Sequence, residues 1–197
     1  MSWFNRNEDW RTYIRRYPIT SLFLAVNIMV FLWMTAMGGT NNPEVLVRYG
    51  GYYRQAILEG EIYRLFTPIF IHIGWEHLLF NCFSILIFAP GLEIILGKAR
   101  YLLVYLGTGL AGFVATLLLS STDLAAGASG AIFGIYGMYA YLARYRRDIM
   151  DRNSRQIIMP ILLFGVIGTF VFQNVSITGH MGGLISGYLM GFGLIRR

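Results

Sequence analysis

Charge and cysteine are what this sequence has least of. Only 13% of its residues are charged, against about 25% in an average soluble domain. A single cysteine, Cys82, excludes an internal disulfide and a metal site built from several thiolates. What is abundant is apolar surface: 56% of 197 residues are hydrophobic, in a chain of one domain's length. A soluble core of that size cannot hide so much, so the surrounding medium is lipid. The net charge of +6 raises nucleic acid as a partner, and the placement of the cations, taken up below, removes it.

Residues 1–18 read as an N-terminal tail carrying Arg6, Arg11, Arg15 and Arg16. Ile19 to Met37 follow without a formal charge, long enough to span about 30 Å of hydrocarbon. The run is too long for the core of a signal peptide and no A-x-A cleavage site follows it, so a retained membrane helix is expected. Residues 39–75 are the least hydrophobic internal stretch. Their interleaved aromatics (Tyr49, Tyr52, Tyr53, Tyr63, Phe66, Phe70) predict a folded loop at the membrane interface. Apolar runs then occupy 77–97, 101–119, 128–143, 156–173 and 179–195. Irregular backbone cannot face lipid, so the expectation is an all-α polytopic membrane protein in which residues 19–197 form one six-span domain.

The cations test that count. With the N-terminus inside, the inner positions hold the four tail arginines, Lys98, Arg100, Arg144, Arg146, Arg147, Arg152, Arg155, Arg196 and Arg197. Outside remain Arg48, Arg54 and Arg64. This asymmetry predicts cytoplasmic termini, and cations scattered over several helix ends do not form a nucleic-acid surface.

Chemistry centres on Gly127-Ala128-Ser129-Gly130-Ala131-Ile132-Phe133-Gly134, where a polar connection turns into an apolar run. A serine in the first turn of a helix lies beside unpaired N–H groups and the positive end of the helix dipole, a setting for a developing oxyanion. The same small-residue run also serves as a packing face, and by itself does not decide between the two. The segment from Ala128 to Ala143 is only about 24 Å of helix, shorter than the apolar slab. With Arg144 at the inner boundary, Ser129 is then expected to lie sunken below the outer surface, reached by a wet depression.

All three histidines fall on the predicted outer side: His72 ends the first loop, His77 opens the second span and His180 opens the sixth. His77 and Asn81, spaced i, i+4, share one helix face. Gly130, Gly134 and Gly137 form a stripe on the fourth span, and Gly183, Gly187 and Gly191 one on the sixth. Two such faces pair closely. If they meet, His180 arrives where Ser129 is. An imidazole in reach corrects the weak nucleophilicity of a serine, while His77, Asn81 and the Ser129 amide supply oxyanion donors. Asp123 and Glu93 lie elsewhere, so a dyad is expected rather than a triad.

The Gly127–Gly134 run, His77-x-x-x-Asn81 and His180-x-x-Gly183-x-x-x-Gly187 together resemble the rhomboid family of intramembrane serine proteases. The six-span plan and large first loop match as well. The resemblance implies Ser129 as nucleophile, His180 as general base, and the side chains of His77 and Asn81 with the Ser129 amide as oxyanion hole. It places Phe133 as the aromatic stacked on the base, where tyrosine is often found. Gly127 and His72 fall at positions matching family features, the first beside the substrate and oxyanion site, the second in the loop bracing the second helix. Tyr63-Arg64 stands where the family has Trp-Arg, a departure that concerns loop folding. The implied substrates are transmembrane segments cut near the external face, entering laterally between the second and fifth helices, with Asn174 to Thr178 as a lid. No metal or organic cofactor is implied, and the expected form is a minimal bacterial one in the plasma membrane.

Three other functions compete. A catalytically inactive relative that binds and escorts transmembrane helices has the same fold, but no chemical reason to keep both Ser129 and His180. A metalloprotease built on His72, Glu76 and His77 has histidines spaced poorly for one helix face, without H-E-x-x-H. A small transporter would need an inverted repeat or a buried charge path that this sequence does not display.

Overall fold

The structure is a computed structural model describing residues 8–150, 152–171 and 175–195. It begins with a short helix, α1 (Trp10–Arg16), whose N-terminus is capped by the Asp9 carboxylate accepting from the Thr12 amide at 2.8 Å. So part of the stretch expected as tail is helical. Pro18 then opens α2 (Pro18–Ala36), using a residue whose missing N–H costs nothing in a first turn. No side chain of α2 itself caps that end. The cap comes from 74 residues away: the Glu93 carboxylate accepts from the Ile19 amide, the Thr20 amide at 2.9 Å and the Thr20 hydroxyl at 2.7 Å. Glu93 is almost fully buried, and these three donors answer the desolvation that its burial entails.

The loop expected over 39–75 is folded throughout. It contains α3 (Pro43–Arg48), β1 (Tyr52–Tyr53), α4 (Arg54–Leu58) and two single turns of 3-10 helix, Ile62–Leu65 and Thr67–Phe70. Arg64, of the Tyr63-Arg64 pair that the resemblance ties to loop folding, points inward and is 6% exposed. It donates to the Val47 carbonyl at 2.6 Å, the Gly51 carbonyl at 3.1 Å and the Glu61 carboxylate at 2.6 Å. One guanidinium thereby ties the turns of the loop to one another, which its fork of fixed donors suits.

Two long helices follow, α5 (Gly74–Leu96) and α6 (Lys98–Leu119), turned about Gly97 at φ +75°. β2 (Leu124–Ala125) pairs antiparallel with β1, Tyr52 opposite Ala125 and Tyr53 opposite Leu124. This two-residue ribbon is the exception to an otherwise helical fold among the described residues. Arg54, beside it, donates to the Leu117 and Ser120 carbonyls at 2.7 and 2.8 Å and so caps the C-terminus of α6. The chain ends with α7 (Ser129–Tyr145), α8 (Arg152–Val171) and α9 (Ile177–Leu194).

α7 is the centre of the bundle, buried along most of its length between α6 and α9. Glycine makes this possible. A β-carbon on Gly183 would run into the backbone of Gly130, one on Gly187 into the backbone of Gly134, and one on Gly137 into the Leu184 carbonyl. On the α6 side, a β-carbon on Gly134 would collide with the side chain of Thr108. A stacked Phe23–Tyr105 pair (ring centroids 3.9 Å apart) fills the space between α2 and α6, and the Tyr139 hydroxyl donates to the Phe88 carbonyl at 2.7 Å, joining α7 to α5. The outer faces carry Phe80, Leu118, Phe164 and Leu189, all exposed.

Among the described residues, four helices, α2, α5, α6 and α8, are long and apolar enough to cross a membrane by length and composition. α7 is shorter, at 17 residues, and α9 is diluted by its glycines and His180. Two tests follow. Glu93→Ala leaves the first amides of α2 and the Thr20 hydroxyl without their acceptor and should cost about 1–3 kcal/mol, read as a fall in the unfolding midpoint in detergent. Gly187→Ala forces α7 and α9 apart and should cost a similar amount by overpacking, about 1–3 kcal/mol; an unchanged midpoint would contradict the backbone contact described.

Candidate active site

Ser129 is the first residue of α7, with Ala128 as its N-cap, and its side chain is half-buried. The segment leading into it is held from the first loop at successive residues. Leu124 and Ala125 are in the ribbon, the Gly127 amide donates to the Pro68 carbonyl at 2.9 Å, and the Ala128 amide lies 3.5 Å from His72 Nε2. His72 is completely buried. Burial first, and then the neighbouring His77 ring, push its pKa down to about 3. It is therefore a neutral acceptor that braces the residue before the serine.

His77, in the first turn of α5, packs directly on the same segment. Gly127 has φ +137°, and a β-carbon there would meet His77 Cε1 at 2.6 Å and Nε2 at 2.7 Å. Glycine is required at 127 on both counts: the left-handed backbone and the imidazole against its α-carbon. His72 and His77 meet edge to face at 5.3 Å. Asn81, one turn further along α5, spends one amide N–H on the His77 carbonyl at 2.8 Å. Its Oδ1 is buried without a partner among the described residues.

His180 comes from the other side of α7. Ser176 caps α9, accepting from the Gly179 amide at 3.1 Å, and so sets the first turn that carries His180. The imidazole stacks on Phe133, centroids 4.0 Å apart and planes 18° from parallel. Phe133 stands one turn beyond Ser129, and a helical side chain leans back toward the N-terminus, so the ring covers the turn that holds the serine. The backbone agrees: a β-carbon on Gly112 of α6 would touch both the Gly179 carbonyl and the Gly130 α-carbon, the neighbours of His180 and Ser129.

Among the described residues, the imidazole of His180 hydrogen-bonds with the Thr169 hydroxyl of α8, 2.9 Å from Nδ1. Thr169 was not among the residues singled out in the sequence, since one hydroxyl within an apolar run has no spacing signal. A cavity of about 30 Å³ adjoins Ser129, lined also by Gly127, Thr116, Ser176 and Gly179, room enough for a water with polar partners. Ser129, Gly127, His72, His77, His180 and Phe133 are thus linked by contacts about the first turns of α7, and Asn81 joins them through the His77 carbonyl, one turn along α5. Ser129, Gly127, His77, Asn81 and His72 lie toward α5 and the first loop, with His180 and Phe133 toward α9. Of the segment expected to act as a lid, Asn174 lies outside the described residues, Val175 and Ser176 lead into α9, and Ile177 and Thr178 are its first residues.

Comparison with known proteins bears on the chain as a whole. A family model of the Rhomboid domain matches residues 59–197. The putative rhomboid protease YdcA of Bacillus subtilis (strain 168) is 38% identical over 192 residues, covering 96% of this chain and 94% of the relative. Rhomboid protease GluP of the same organism is 37% identical over 86% of this chain, which spans 33% of that longer protein. Rhomboid-like protease 2 of Toxoplasma gondii is 34% identical, with 86% of this chain and 62% of the relative covered. With the family model over most of its length, a relative matched nearly end to end and apolar helices long enough to span a bilayer, this chain belongs to the rhomboid family of multi-pass membrane proteins.

Proposed function

We propose that this protein is an intramembrane serine endopeptidase that cleaves transmembrane segments near the external face, with Ser129 as nucleophile and His180 as general base. The observation that carries the reading is the Phe133–His180 stack, which holds an imidazole against the ring that stands one helical turn beyond a serine at a helix N-terminus. The printed names of relatives as rhomboid proteases support it from outside the site.

In this reading the Ser129 Oγ bonds to the scissile carbonyl carbon while its proton passes to His180 Nε2 and the carbonyl π electrons move onto oxygen. The Ser129 amide, the free N–H of Asn81 and the His77 ring donate to that oxyanion. Collapse of the tetrahedral species breaks the C–N bond, and the leaving amine takes the proton from Nε2. Water then repeats the sequence on the acyl-serine, its proton going to Nε2 and back to the serine oxygen. The Thr169 bond occupies Nδ1 and leaves Nε2 for Ser129; that no hydrogen bond joins Ser129 to His180 fits a resting site, since catalytic hydrogen bonds often close only around a substrate.

All six long helices cross the bilayer in this proposal, α7 covered by its neighbours and α9 facing lipid with Ile185, Leu189 and Phe192, with both termini in the cytoplasm and the plasma membrane as the location. Substrate enters between α5 and α8. α8 suits that role because its apolar side chains, among them Phe164, Ile167 and Phe170, are exposed, and it touches α7 and α9 far less than they touch each other.

Ser129→Ala and His180→Ala should each abolish cleavage of a model transmembrane substrate in proteoliposomes while the protein still inserts; full activity in the first would overturn the proposal. Asn81→Ala removes one oxyanion donor and should slow turnover by about 10²–10³, with KM little changed, measured on the same substrate.

A further inference from the structure

Thr169 is 2% exposed, and its hydroxyl has two neighbours, His180 Nδ1 at 2.9 Å and the Gly165 carbonyl at 3.2 Å. A threonine hydroxyl has one proton to give and lone pairs to receive with. In a helix that proton is commonly directed to the carbonyl four residues earlier, which is where Gly165 stands. What the hydroxyl then offers His180 is a lone pair, and only an N–H can use it.

We propose that Thr169 is the positioning residue for His180: its hydroxyl accepts from Nδ1–H, holds the imidazole in the tautomer with Nε2 bare, and so readies the nitrogen that takes the Ser129 proton. This rests on the protease reading above. Phe133 and Thr169 divide the task. The stack fixes the plane of the ring but tolerates rotation within that plane and either tautomer. The hydrogen bond selects one rotation and one tautomer. When Nε2 gains its proton, Nδ1–H stays on the Thr169 oxygen and the threonine's own proton stays on Gly165, so nothing is transferred to the threonine. A hydroxyl performs the orienting part of a triad's carboxylate without placing a second charge in an apolar bundle. It is a neutral partner, and its share in the rate is correspondingly that of one neutral hydrogen bond.

The tautomer can be read without substrate. In detergent micelles, the full chain labelled with ¹⁵N-histidine should give His180 a pyrrole-type Nδ1 and a pyridine-type Nε2 signal near neutral pH, assigned by their loss in His180→Gln. Thr169→Val keeps the shape and removes the hydroxyl; it should shift His180 toward a mixture of tautomers and lower kcat about 3- to 10-fold, the worth of one neutral hydrogen bond, with KM unchanged. Thr169→Ser should restore both the spectrum and kcat. A pyridine-type Nδ1 in the wild-type protein overturns the proposal even if Thr169→Val does not fold, and so does a Thr169→Val protein with unaltered tautomer and kcat. A wild-type protein that cleaves no transmembrane substrate, with the Nδ1–H signal present, overturns the protease reading instead.

Discussion

The bundle depends on two backbones touching. Between helices in lipid there is little hydrophobic drive, because the tails outside are as apolar as the side chains inside, and association falls to van der Waals contact and hydrogen bonds. Gly130, Gly134 and Gly137 of α7 against Gly183, Leu184 and Gly187 of α9 supply that contact along several turns. The same contact sets the distance between Ser129, at the head of one helix, and His180, in the first turn of the other. Stability and the candidate chemistry therefore share a cause: glycines that let α9 lie close also bring the imidazole over the turn that begins with the serine.

The glycine stripes could be read in the sequence because helical periodicity is local, and so could the i, i+4 pair His77 and Asn81. The six long helices stand where the apolar runs do, with instructive differences at their ends. The run expected from 156 belongs to a helix that begins at Arg152, and the run from 77 to one that begins at Gly74. Hydropathy marks the greasy part of a helix, whereas hydrogen bonding continues through a polar turn beyond it. α1 was hidden for the same reason, its arginines making it resemble a solvated tail.

What could not be read was long-range. Glu93 meets the start of α2 across more than seventy residues, and nothing in either segment announces the other. Arg64 reads in the sequence as an outer cation in a pair concerned with loop folding, and only the fold shows which carbonyls of the first loop it ties together. Thr169 is the clearest case: a lone hydroxyl in an apolar run acquires meaning only when the fold sets it beside His180. Sequence spacing finds partners on one helix; partners on two helices need the fold or a recognised family pattern.

The pairing of the first loop with residues 124–128 has a mechanical corollary. The backbone entering Ser129 is clamped by the ribbon, by Pro68 and by His72, none of which belongs to α8. Under the proposed function, a lipid-borne guest that pushes α8 aside leaves the nucleophile's backbone where it was, and the disturbance falls on the imidazole tethered to Thr169. Opening the flank would then cost the enzyme its poised base rather than its anchored serine, so that readiness returns only when the displaced helix settles back around its guest.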